Sequence, residues 1–168
     1  NLASGFLLIM FRPFKVGDYI ELGAHTGVVD EIQILYTRIR TTQHQEITIP
    51  NDQFMKNAVM NFSTHDSRRA DIVVGISYDD SITTAKKIVT DILTADKRVY
   101  SDPAPLVVVK ELGDSSVNIL ARFFAHKNDY WASVFYFNEA VKLQFDEAGI
   151  SMPYPQRDVH LFQSNASD

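Results

Sequence analysis

The sequence predicts a mostly β module followed by an α+β unit, entered through an N-terminal helix. Three observations carry that class. Residues 14 to 62 fall into short alternating segments broken by turn residues. Residues 71 to 148 mix strand-like runs with two long segments whose apolar residues recur at three-and-four spacing. Ahead of both, Phe6-Leu7-Leu8-Ile9-Met10-Phe11 is an unbroken run of large apolar side chains, stopped by Arg12-Pro13.

The apolar share of 45% belongs to a globular chain and excludes disorder as the main state. A length of 168 residues accommodates one ordinary domain or two small ones with separate cores. The net charge of −5 argues against a nucleic-acid partner, which needs a basic face. With no cysteine there is neither a disulfide framework nor a thiolate metal site.

Residues 1 to 11 suit a helix that Pro13 terminates, because proline has no amide hydrogen and restricts the residue before it. Gly5 inside that helix costs about 1 kcal/mol relative to alanine, which marks close packing, a bend, or an inconsequential small residue. The apolar run from Leu2 to Phe11 is about half of the roughly 20 residues a spanning helix needs. Its basic residues, Arg12 and Lys15, follow the run rather than precede it, which argues against a signal peptide. The run therefore reads as the end of a longer membrane protein leaving the bilayer. An apolar helix with no polar face wants lipid or protein on every side, and Arg12 and Lys15 can hold their charges among headgroups. The competing reading is an ordinary helix buried against the β module.

In the β module, Asp18 to Leu22, Gly27 to Ile34, Tyr36 to Thr41 and Glu46 to Ile49 read as short strands, with Pro50-Asn51-Asp52 as a stop. About five short strands in so few residues predict a small, strongly bent barrel rather than an open sheet. After Ser67-Arg68-Arg69 the rhythm changes. Asp71 to Tyr78 is a strand, and Asp79-Asp80-Ser81 supplies caps for a helix with Ile82, Ala85, Ile88, Val89, Ile92 and Leu93 on one face. Strands follow at Leu106 to Lys110 and Val117 to Ala125. A second helix carries Val134, Phe137, Val141, Phe145 and Ala148, with Gly149 as its cap. A final strand is expected at Asp158 to Phe162. The order β-α-β-β-α-β is the ferredoxin-like split unit. The tail from Gln163 to Asp168 reads as disordered.

The chemistry-bearing residues do not assemble into a catalytic pattern. The five histidines, His25, His44, His65, His126 and His160, show no close ligand spacing, so no metal and no cofactor are expected. Asp79-Asp80 sits directly before a helix, where carboxylates satisfy free amides. Gly75-Ile76-Ser77-Tyr78 lacks the second glycine of a nucleophile elbow, and no phosphate-cradling loop is present. No enzyme is expected. The rival class is a soluble RNA- or ligand-binding module, for which Arg38 and Arg40 share a strand face near Tyr36. The strand Val117 to Ala125 lacks the paired aromatics of an RNA-recognition strand, so these arginines read as a solvated face or a subunit contact. Trp131, Phe135 and Tyr136 crowd the second helix beyond what one core face needs. They read as core plus a satellite cluster or, more sharply, as a subunit interface.

Asn1-Leu2-Ala3-Ser4-Gly5, Phe11-Arg12-Pro13-Phe14 and Val16-Gly17-Asp18-Tyr19-Ile20 resemble the junction of small-conductance mechanosensitive channels. Ile49-Pro50-Asn51, Asn61-Phe62-Ser63 and Pro153-Tyr154-Pro155-Gln156 sit where that family carries similar segments, so the resemblance runs from Asn1 to about Phe162. It implies a homoheptameric channel of the inner membrane whose transmembrane helices precede Asn1. Residues 1–12 would be the end of the amphipathic pore helix at the membrane surface and 13–66 an Sm-like β domain. Residues 67–152 would be the ferredoxin-like domain, and 153–168 a barrel strand with its tail. Such a channel opens under membrane tension and releases ions and small osmolytes in hypo-osmotic shock, with this segment as its cytoplasmic vestibule.

The resemblance also implies site residues. Asn1, Gly5, Phe6, Leu7, Leu8, Phe11, Arg12 and Lys15 would couple the ring to the membrane. Gly5 matches a glycine linked to bending during inactivation. Val159 and Leu161 of the last strand would serve assembly, beside Trp131, for which the aromatic crowding on the second helix argues. The family often has alanine where this chain has Ser4, and a hydroxyl bonding back to the helix would alter the bend.

Overall fold

In the computed structural model, which describes residues 2–164, helix α1 spans Leu2–Phe11 and stops immediately before Arg12-Pro13. Arg12 N–H still donates to Leu8 O at 2.9 Å, but its φ is 45°, so the chain turns out of the helix there. Pro13 enforces the stop, since it has no N–H to continue the ladder. The chain divides between Arg68 and Arg69 into two units, each with its own core.

The first unit is a five-stranded antiparallel sheet in the order β4-β3-β2-β1-β5. Its strands are β1 (Tyr19–Leu22), β2 (His25–Ile32), β3 (Tyr36–Arg40), β4 (Glu46–Pro50) and β5 (Met60–Asn61). Alternation places Ile20, Leu22, Val29, Ile39 and Ile49 on the inner side, all buried. The β2–β3 register slips between Val29 and Glu31, a bulge that bends the sheet round this core. Phe14 and Phe54 close it, ring centroids 4.9 Å apart. The sequence predicts only a stop at Pro50-Asn51-Asp52. The chain instead forms a short helix there, α2 (Asn51–Lys56), with Phe54 pointing into the core.

The second unit holds a three-stranded sheet ordered β6-β8-β7, made of β6 (Ser67–Ile76), β7 (Leu106–Leu112) and β8 (Val117–His126). Val117, Ile119, Ala121, Phe123 and Ala125 of β8 are buried along one face, as their alternation predicts. Helix α3 (Ile82–Ala95) begins at Ser81, whose Oγ accepts from Thr84 N–H at 3.2 Å. Asp80 is not the cap, because its carboxylate accepts from Ser151 N–H at 2.7 Å. Helix α4 (Tyr130–Ala148) inserts Phe137, Val141 and Phe145 into the core. Ala148 is exposed, and Ala140 takes a place on the buried face instead. Gly149, at φ 73°, ends α4 with its N–H on Asp146 O, and Ile150 N–H returns to Phe145 O at 2.9 Å.

The last expected strand, Asp158 to Phe162, is not formed in the single chain. A strand exists only by pairing, and among the described residues 157–164 have no backbone partner. The segment leading to it is tethered: Ser77 N–H donates to Ser151 O at 3.1 Å and Gln156 N–H to Ser115 Oγ at 3.0 Å. Of the tail, residues 165–168 lie outside the described residues.

Candidate functional site

The residues of α1 are not equivalent. Ser4, Gly5 and Leu8 are buried against the β module, and Leu8 belongs to its core. Leu7 is half-buried. Leu2, Phe6, Met10 and Phe11 are 64% or more exposed, and Ile9 is 47% exposed. A helix expected to want apolar surroundings on every side is thus split between a docked face and a face offered outward. Leu8, grouped in the sequence reading with the lipid-facing residues, points the other way. Asn1 lies outside the described residues.

The docked face rests on a polar joint. A Cβ at Gly5 would coincide with the carbonyl oxygen of Ile34, so only glycine lets α1 come this close. That carbonyl is held from the other side by Asn51, whose Nδ2 donates to Ile34 O at 3.0 Å and to Gln33 O at 2.7 Å. Asn51 Oδ1 accepts from Thr37 Oγ at 2.8 Å, and Asn51 N–H donates to Leu35 O at 3.0 Å. Both side chains are fully buried. Every polar atom of the Asn51 amide is engaged, which makes the joint stiff rather than costly. The sequence reading took Asn51 for a turn residue and left Thr37 among alternating strand positions. Thr37, a polar residue at a strand position that alternation points inward, was the available signal; Asn51 opens α2, where alternation gives none. Ser4 makes no hydroxyl bond to the helix among the described residues.

Beyond α1, Arg12 and Lys15 are exposed, and the loop that carries them is pinned by Asp18. The Asp18 carboxylate accepts from Lys15 N–H at 3.1 Å and from Asn61 Nδ2 at 2.9 Å. On α2, Lys56 hydrogen-bonds Asp52 at 2.9 Å and holds that carboxyl below its usual range. Arg38 and Arg40 are charge-balanced in place: Arg38 lies 2.9 Å from Glu31 and 3.4 Å from Glu46, and Arg40 3.6 Å from Asp30. That strip is not a bare basic face for nucleic acid. In the second unit, Trp131 is 51% exposed and packs edge-on to Tyr130 at 5.1 Å, with Phe135 at 5.6 Å. Val159 and Leu161 are 68% and 88% exposed.

Two family models match. The mechanosensitive ion channel beta-domain covers residues 1–64, and the C-terminal domain of the mechanosensitive ion channel MscS covers residues 70–152. The small-conductance mechanosensitive channel of Edwardsiella ictaluri is 38% identical over 164 residues, 98% of this chain and 57% of that protein. The chain belongs to the small-conductance mechanosensitive channel family. An MscS family protein of Archaeoglobus fulgidus is 35% identical over 159 residues, covering 95% of this chain and 56% of its own length. The chain thus spans little more than half the length of these relatives. The crystal structure of Helicobacter pylori MscS in a closed state superposes with a TM-score of 0.91 at 24% identity, over 97% of this chain and 65% of that one. Arabidopsis thaliana MSL1 follows with a TM-score of 0.73 at 21% identity, over 91% of this chain and 57% of that one. In this family's chain, among the described residues, no helix is long and apolar enough to cross a membrane.

Proposed function

We propose that this chain is the cytoplasmic vestibule of a channel that opens under membrane tension and releases ions and small osmolytes during hypo-osmotic shock. The observation that carries the reading is the split of α1: Ser4, Gly5 and Leu8 docked on the β module, with Phe6, Met10 and Phe11 facing outward. A helix that holds a folded ring with one face and lipid with the other can pass a change in the membrane to the ring. A tension response requires that this lipid-facing burial differ between states. Residues 1–12 form the coupling element, 13–66 the Sm-like domain and 67–152 the ferredoxin-like domain of the vestibule, and 153–168 carry the C-terminal strand with its tail.

The working form in this proposal is a homoheptamer in the inner membrane, with spanning segments before Asn1 and this segment on the cytoplasmic side. Exposed Trp131, Val159 and Leu161 are its assembly contacts, and strand 158–162 pairs with its own copies, which supplies the backbone partners a single chain lacks. The protein is a conduit and not an enzyme. The test is electrical. Full-length protein reconstituted in liposome patches gives stepwise conductance that rises with suction, and expression rescues channel-deficient cells from osmotic downshock. Patches silent up to lytic tension would overturn the reading.

A further inference from the structure

We infer that Arg12 and Lys15 form a headgroup site for an anionic phospholipid, a partner narrower than the bilayer surface as a whole. The inference rests on the reading that α1 lies against a membrane and adds which lipid it selects.

A recess of about 270 Å³ opens at the root of α1, lined by Arg12, Lys15, Asp18, Asn61, Ser63 and Thr64 among others. Its cations are unusual for this unit. Arg38, Arg40 and Lys56 each have a carboxylate within ion-pair distance, whereas Arg12 and Lys15 have none among the described residues. The one side-chain bond of Arg12 runs from Nε to the Ile9 carbonyl at 3.4 Å. Asp18 is the acidic group of the recess. It is only 7% exposed, and its Oδ2 already accepts from Lys15 N–H and Asn61 Nδ2. It serves to fix the loop rather than to neutralise the two cations.

The apolar neighbourhood selects a lipid over a free anion. Phe11 and Val16, 72% and 58% exposed, flank the cationic pair in the chain, and Phe6 and Met10 extend the apolar surface along α1. An amphiphile with a phosphate between Arg12 and Lys15 and acyl chains against α1 satisfies both halves of this surface. The chain as a whole is acidic, at −5, so preference for an anionic membrane requires a local site.

The experiment is vesicle flotation of the 168-residue chain with pure phosphatidylcholine, or with phosphatidylcholine containing phosphatidylglycerol. Wild type is expected to bind the phosphatidylglycerol vesicles roughly thirtyfold more tightly, about fivefold per cation near the surface. Arg12→Gln with Lys15→Gln is expected to bring both vesicles to the same affinity. Lys97→Gln with Lys110→Gln, the same charge change on other exposed lysines, is expected to leave the preference intact. Equal wild-type binding to both vesicles overturns the headgroup site while leaving α1 as a membrane helix. Equal losses in the two double variants also overturn it, since net charge alone would then explain the preference. Binding to neither vesicle overturns the membrane reading together with the site. Tension-gated conductance is measured separately and fails or succeeds independently.

Discussion

The Ile34 carbonyl fills the space that a side chain at Gly5 would occupy, and this contact seats α1 on the β module. Gly5→Ala must push α1 outward or displace the 33–35 turn. Overpacking of this kind costs about 1–3 kcal/mol. Hydrogen exchange is expected to speed up across Leu2–Phe11 while amides in β1 to β3 keep their protection. Unchanged protection of α1 would mean that the turn yields instead.

The Asn51–Thr37 pair supports the same carbonyl. Asn51→Ala leaves the Thr37 hydroxyl and two carbonyls without their donor or acceptor, each a loss of about 1–3 kcal/mol when buried. Thr37→Val removes one bond only. The double variant is expected to be less destabilised than the sum of the singles, since both act on one network. Urea melts of the four proteins read the coupling directly.

Assembly is expected to depend on Trp131. The side chain is half-exposed and packs on Tyr130 and Phe135, so its loss costs the single chain little. Trp131→Ala should lower the mass seen by light scattering while leaving the melting temperature within a few degrees. A ring of unchanged mass would remove Trp131 from the interface.

The closing strand offers a separate check. Val159→Asp with Leu161→Asp adds charge to two exposed apolar positions, so the monomer fold should be indifferent. If 158–162 pairs between copies, the dissociation midpoint of the oligomer on dilution should move to higher protein concentration. An unmoved midpoint would leave that segment without a role in assembly.

Asp71 gives a pH dependence of known sign. Hydrogen bonds from Arg122 to both its oxygens, at 3.0 Å each, lower its carboxyl below the usual value; desolvation opposes them, and the Arg122 and Arg69 charges add to the lowering. A depressed carboxylate stabilises the fold above its unfolded value of about 3.9, and the contribution is lost as pH falls through the lower folded value. The gap in urea midpoint between wild type and Asp71→Asn is therefore expected to be full at neutral pH and to shrink below pH 4. A constant gap would assign the effect to something other than ionisation.

Much of the fold is legible in the sequence. Alternation alone assigned the buried face of β8, because period two leaves one side inward whatever the partner. The stop at Pro13 and the cap at Gly149 followed from backbone chemistry that acts locally. The helix α2 was not legible. Its start at Pro50-Asn51 carries turn residues, and it forms because Phe54 reaches the core while Asn51 bonds a loop some seventeen residues away. The last strand was legible as a pattern but absent as an element, since among the described residues no backbone group pairs with it.

By itself, then, the sequence determined the two-unit order, the inward faces of the strands and the apolar character of the first helix. Each depends on neighbours a few residues apart. Only the tertiary structure decided which side of that helix is spoken for. Phe6 and Leu8 are equally apolar as residues, yet one is 65% exposed and the other 2%. The difference is set by where Gly5 meets the Ile34 carbonyl, a contact between residues far apart in the chain that no local pattern encodes.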